Sequence, residues 1–118
     1  MNAFVVQPGD ARLVQVYVPS TRHDKPISDA DHQGYVEVVE TRLAKMFGGA
    51  TSITATGSYY SEELQSLIRE KVTVVYSYTE FVNLAQGKEI RLLAKWLAME
   101  LEQESILVVI EDKYYFIS

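Results

Sequence analysis

The chain has 118 residues, 47% hydrophobic and 23% charged, a size and balance that fit one folded domain over residues 1–118 and argue against wholesale disorder. Sixteen acidic against 11 basic residues leave a net charge of −5, which works against broad contact with a phosphate backbone, so no direct nucleic-acid partner is expected. The absence of cysteine excludes disulfides, thiolate metal sites and a cysteine nucleophile, and fits a reducing, cytoplasmic setting.

Met1 to Val6 lacks the basic stretch and long apolar run of a leader, and no window approaches the roughly 18 apolar residues that span a bilayer, so no membrane partner is expected. Pro8-Gly9-Asp10 is a turn signal; residues 1–10 before the first clear strand, with Phe4, Val5 and Val6, read as an N-terminal arm or an edge strand. From Leu13 to Val18 the pattern alternates, with Val14, Val16 and Val18 on the face expected in the core and Leu13, Gln15 and Tyr17 on the other. Pro19 stops the ladder and Ser20 to Ile27 reads as a polar loop.

Ser28 is a good helix cap, with Asp29 and Asp31 at the positive end of the helix dipole. Tyr35 or Val36, Val39, Leu43 and Met46 or Phe47 give one apolar stripe, and Gly48-Gly49 ends the helix. A strand with a small-residue face follows from Thr51 to Tyr60, where Gly57 suggests a bulge or a close backbone approach. Ser61 to Arg69 reads as a connection with room for a helical turn at Glu62 to Leu67, and Lys71 to Thr79 as a strand with Val72, Val74, Tyr76 and Tyr78 on one face. A second helix begins after Thr79 or at Lys88 and ends near Gln103, burying Ile90, Leu93 or Ala94, Leu97 and Leu101, with Trp96 beside the stripe. Ser105 to Ile110 is a nearly continuous apolar strand, and Tyr114 to Ile117 returns after a turn.

This β-α-β-β-α-β order with a C-terminal hairpin predicts an α+β ferredoxin-like sandwich: an antiparallel sheet with two helices on one face. The strings Met46-Phe47-Gly48-Gly49-Ala50-Thr51, Ala55-Thr56-Gly57-Ser58-Tyr59 and Gln103-Glu104-Ser105-Ile106-Leu107-Val108 resemble a small bacterial family catalogued only as a domain of unknown function. That resemblance implies the same element order and brings no activity with it.

Chemistry-bearing residues are sparse. His23 and His32 with Asp24, Asp29 and Asp31 match no metal-ligand spacing, and the acids serve the helix start, so no metal is expected. Arg22, His23 and Lys25 could hold an anion at the end of the first strand, although the loop lacks the glycines of a phosphate cradle and an ordinary polar connection is preferred. The paired carboxylates Glu62-Glu63, Glu100 with Glu104, and Glu111-Asp112 read as solvated flanks, and no serine sits in a nucleophile elbow, so no catalytic residue and no cofactor are assigned.

The eight tyrosines are the unusual signal. Tyr17 and Leu13, with Tyr59, are expected on the sheet face that the helices leave open, and a face rich in Tyr and Leu is usually covered. The leading expectation is therefore a non-enzymatic protein-interaction module, a homodimer through that face. Its acidic charge suits a further, basic protein partner, as in an anti-CRISPR or anti-restriction inhibitor of a nucleic-acid-handling complex. The alternative is a small-molecule-binding or enzymatic dimeric α+β-barrel protein with a pocket near the sheet face. The candidate interaction or ligand residues are Tyr17, Arg22, His23, Tyr59, Tyr76 and Tyr78.

Overall fold

The structure, a computed structural model, describes residues 12–118, so the expected arm at residues 1–10 lies outside the described residues. Strand β1 (Arg12–Pro19) follows its alternation: Val14, Val16 and Val18 are fully buried while Leu13, Gln15 and Tyr17 turn to the other face. The polar loop after it contains a miniature hairpin, β2 (Thr21–Arg22) paired with β3 (Lys25–Pro26), turned by His23 in the left-handed region at φ 58°.

Helix α1 (Asp29–Phe47) begins where Ser28 Oγ accepts the Asp31 N–H and stops at Gly48, whose φ of 92° lets its own N–H reach the Ala44 carbonyl. It buries Val36, Val39 and Leu43 against the sheet, together with His32.

Strands β4 (Thr51–Ser61) and β5 (Ser66–Thr79) form one long hairpin. This corrects the connection expected at Ser61 to Arg69. The chain turns in only four residues, closed by the Leu64 N–H donating to Ser61 Oγ at 3.2 Å and by Gln65 at φ 47°. Leu67 and Ile68 sit opposite Tyr60 and Tyr59, and such cross-strand apolar pairs favour the ladder over a local helical turn. The bulge expected at Gly57 is absent, because Gly57 stands opposite Glu70 in an unbroken register. β1 pairs with β5 only as far as Val72, so the stretch around Gly57 and Glu70 projects as a two-stranded ribbon. The molecule is correspondingly long, 59 × 29 × 27 Å.

Helix α2 (Leu84–Glu100) starts at neither expected position. Asn83 is its cap: Asn83 Oδ1 accepts the Gln86 N–H at 2.8 Å, and Gln86 Oε1 accepts the Asn83 N–H at 3.1 Å. Gly87 is therefore inside the helix. Strands β6 (Ile106–Ile110) and β7 (Lys113–Ile117) complete a five-stranded antiparallel sheet in the order β4-β5-β1-β6-β7. Both helices pack on one face of it, which is the ferredoxin-like α+β sandwich with an added edge strand. The core lies between the layers and joins the three valines of β1 to Val75, Ile106 and Val108 in the sheet and to Ile90, Leu97 and Leu101 from the α2 region.

Candidate functional site on the open sheet face

Strand pairing arranges the helix-free face in rows. Thr51, Tyr76, Gln15, Val109 and Tyr114 lie side by side across all five strands. Tyr78 pairs with Leu13 on one flank of that row, and Ile53, Val74 and Tyr17 form the next row on the other. Further along β4 and β5 come Ala55 with Val72, then Gly57 with Glu70, then Tyr59 with Ile68. The Tyr76 and Tyr78 rings meet edge to face at 5.7 Å, and the Tyr114 and Phe116 rings do the same at 5.8 Å. Ile53, Tyr59, Tyr78, Tyr114 and Phe116 are all exposed.

The alternation places a single charged side chain on the described strands of this face, and it is Glu70. Glu70 is half-buried, with Ile68 and Val72 as its same-face neighbours along β5. Gly57 directly across the ladder has no side chain to cover it. Tyr59 is the diagonal neighbour, at a Cα separation of about 7–8 Å for such a pair. A carboxylate on an apolar face is costly once that face is covered, unless a cation sits against it. With an aromatic ring alongside, the arrangement suits a small cationic ligand that also has a flat ring.

Of the residues singled out in the sequence, Tyr17, Tyr59, Tyr76 and Tyr78 share this face. Arg22 and His23 do not join them. Arg22 turns into the helix layer, where Nη2 donates to the Tyr35 hydroxyl at 3.0 Å and Nε donates to the Glu100 carbonyl at 3.1 Å. The His23 N–H donates to the Leu101 carbonyl at 2.8 Å, and the Gln103 amide donates to carbonyls of Thr21, His23 and Leu101 at 3.0–3.2 Å, which ties the hairpin to the end of α2. Arg22, His23, Lys25 and Glu102 line a hollow of about 450 Å³ there.

His32, weighed with His23 as a metal ligand, is buried between α1 and the sheet. Its Nδ1 donates to the Pro19 carbonyl at 2.9 Å, which leaves Nε2 to accept the Thr73 hydroxyl at 2.8 Å. Both ring nitrogens are thus engaged by the protein. Burial lowers its pKa from the ordinary 6.5, against the raising effect of the Pro19 carbonyl. Among the described residues no three His, Asp or Glu side chains come together as a metal site.

Sequence reasoning missed Glu70. The signal is present, since Glu70 interrupts the alternate apolar positions Ile68, Val72, Val74 and Tyr76, but the segment before Lys71 reads locally as a connection rather than a strand.

No family model and no curated protein matches the chain. The fold is similar to that of a phage SAM lyase in complex with S-methyl-5'-thioadenosine, with a TM-score of 0.64 and 18% identity, covering 99% of this chain and 96% of that one. It is equally similar to a phage SAM lyase in the apo state, with a TM-score of 0.64 and 19% identity over 98% and 96% of the two chains. These similarities establish the ferredoxin-like fold. They also run against the leading expectation of a non-enzymatic interaction module, since the whole-chain likeness is to an enzyme described with a small-molecule ligand.

Proposed function

We propose that this protein is a lyase acting on S-adenosylmethionine, with its site on the open sheet face around Glu70. The observation behind this reading is the lone carboxylate of Glu70 beside Tyr59 on an otherwise uncharged face, in a fold similar to that of the phage SAM lyases. S-adenosylmethionine has the matching chemistry: an adenine ring, a sulfonium and an α-ammonium.

In the reaction, the bond between the sulfonium sulfur and the γ-carbon of the aminobutyrate arm breaks. Its electron pair stays on sulfur, and the neutral thioether methylthioadenosine leaves. The four-carbon fragment completes its valence without water, either by closure of its own carboxylate onto the γ-carbon or by loss of a β-proton; the two co-products are isomers of equal mass, and the vinyl proton resonances that only the elimination product carries distinguish them. Positive charge on sulfur vanishes along this path. A carboxylate held against sulfur would therefore stabilise the substrate more than the transition state. Glu70 does better work on the ammonium, fixing the arm in position, while Tyr59 stacks on the adenine.

The same reading has the open face covered by another copy of this chain. Exposed Tyr78, Tyr114 and Phe116 form the kind of apolar surface that water rarely wets alone. A covering copy also removes water from Glu70 and strengthens its hold on a cation.

The test is to incubate the purified protein with S-adenosylmethionine and follow methylthioadenosine by chromatography, alongside Glu70→Gln. The expected outcome is release by the natural protein and a loss of roughly a hundredfold or more in the variant. No release from the natural protein, or equal release from both, rejects the assignment. Native mass spectrometry of the same sample reads the number of copies, and a bare monomer rejects the covered face.

A further inference from the structure

Two surfaces outside the open face are built as complements. The first is the solvent side of α2. At 3.6 residues per turn, a sector of roughly 140° displays the basic residues Arg91, Lys95 and Lys88 and then the apolar residues Met99, Leu92 and Trp96, with no acid among them. Lys88, Arg91 and Lys95 form no ion pair among the described residues. Leu92 is 66% exposed and Trp96 36%. They border a groove of about 450 Å³ lined also by Val38 and Arg42 of α1 and by Leu93, and Arg42 holds Glu89 at 3.6 Å. A basic, apolar helix face is out of character in a chain of net charge −5.

The second surface is the tip of the β4–β5 ribbon. Glu62 and Glu63 stand beside Leu64, which is 68% exposed, on a turn held in shape by Ser61. Among the described residues this end of the ribbon has no third strand, and a two-stranded ribbon standing in water has little stability of its own. One leucine flanked by two carboxylates matches one apolar groove flanked by three cations that no described acid pairs.

We infer that the ribbon tip of one copy docks on the α2 face of a second copy, with Leu64 in the groove between Val38, Leu92 and Trp96 and with Glu62 and Glu63 facing Lys88, Arg91 and Lys95. The contact joins unlike surfaces, so it repeats around a ring or along a row of copies. It uses neither Glu70 nor Tyr59 and stands apart from the lyase reading.

The absence of cysteine makes the test direct. A Leu64→Cys chain and a Leu92→Cys chain of different tag length are coexpressed and mildly oxidised, and the disulfide-linked products are separated by size. The mixed product is expected in clear excess over the two like-with-like products. Adding Glu62→Lys and Glu63→Lys to the first chain should lower its yield roughly fivefold, the effect of losing two exposed ion pairs. Adding Lys88→Glu and Arg91→Glu to the second chain should restore it. Mixed product in statistical proportion, or a yield indifferent to the charge reversals in chains that keep their far-ultraviolet circular dichroism, overturns the contact. Methylthioadenosine release is no part of this readout, so the lyase reading can fail while the contact stands.

Discussion

His32 in the first turn of α1 and Thr73 in β5 are joined across the helix–sheet interface by a 2.8 Å hydrogen bond, with both residues buried. The Pro19 carbonyl fixes a proton on Nδ1, so in the neutral imidazole Nε2 accepts the Thr73 hydroxyl. Burial makes His32 harder to protonate in the folded chain than in the unfolded one. As pH falls below about 6.5 the unfolded chain takes up the proton first, so stability is intact above that value and declines as pH drops toward the lowered folded value. Denaturant midpoints measured between pH 8 and pH 5 should show this decline, and His32→Gln should flatten it. An unchanged slope in the variant would assign the pH dependence to other groups.

Replacing Glu70 by Leu should leave the fold at least as stable as before. The carboxylate forms no hydrogen bond or ion pair among the described residues, and leucine extends the apolar row of Ile68 and Val72. Urea unfolding should show a change between no loss and a gain of about 1 kcal/mol. The same variant should lose methylthioadenosine release. A stability loss above that range would make Glu70 a structural residue.

Gln103 is a strap between the β2–β3 hairpin and the end of α2. Gln103→Ala leaves carbonyls of Thr21 and His23 without their side-chain donor, at a cost of about 1–2 kcal/mol. Hydrogen exchange should show faster exchange at the His23 amide in the variant, since its bond to the Leu101 carbonyl loses this bracing.

Gly87 lies in the first turns of α2, and a methyl group built on it meets nothing within 4 Å. Gly87→Ala should therefore stabilise the protein by about 0.5–1 kcal/mol through reduced freedom of the unfolded chain. A thermal midpoint that falls would mean that the α2 N-terminus is packed against something on that side.

Much of the fold was legible because its periodicities are strong. The valines of β1 and the stripe of Val36, Val39 and Leu43 mark their buried faces unambiguously. The start of α2 was also written in the sequence, since Asn83-x-x-Gln86 is a capping box, but Thr79 and Gly87 drew the boundary to either side of it. The ribbon was not legible. Glu62-Glu63-Leu64-Gln65 has no glycine or proline to announce a turn, and what makes it one is the pairing of Tyr59 and Tyr60 with residues on the far side. Glu70 was hidden with it. Tyr17 and Tyr59 are legible as open-face residues from strand alternation alone, whereas the place of Tyr76 and Tyr78 beside them follows from the pairing of β5 with β1 and β4. The helix-layer position of Arg22 depends on Tyr35 and Glu100, which are distant in the chain, and no local pattern encodes it.

The place of β1 in the sheet sets the order in which the chain can mature. The first described strand lies in the middle, between β5 and β6, and its bonds to β6 join residues 14–16 to residues 108–110. During synthesis the β4–β5 ribbon can zip up early from local pairs, whereas one edge of β1 stays open until β6 has left the ribosome. Throughout that interval the edge is a template for any extended strand, including that of a neighbouring nascent chain, so the yield of folded protein should depend on how quickly the stretch from α2 to β6 is made.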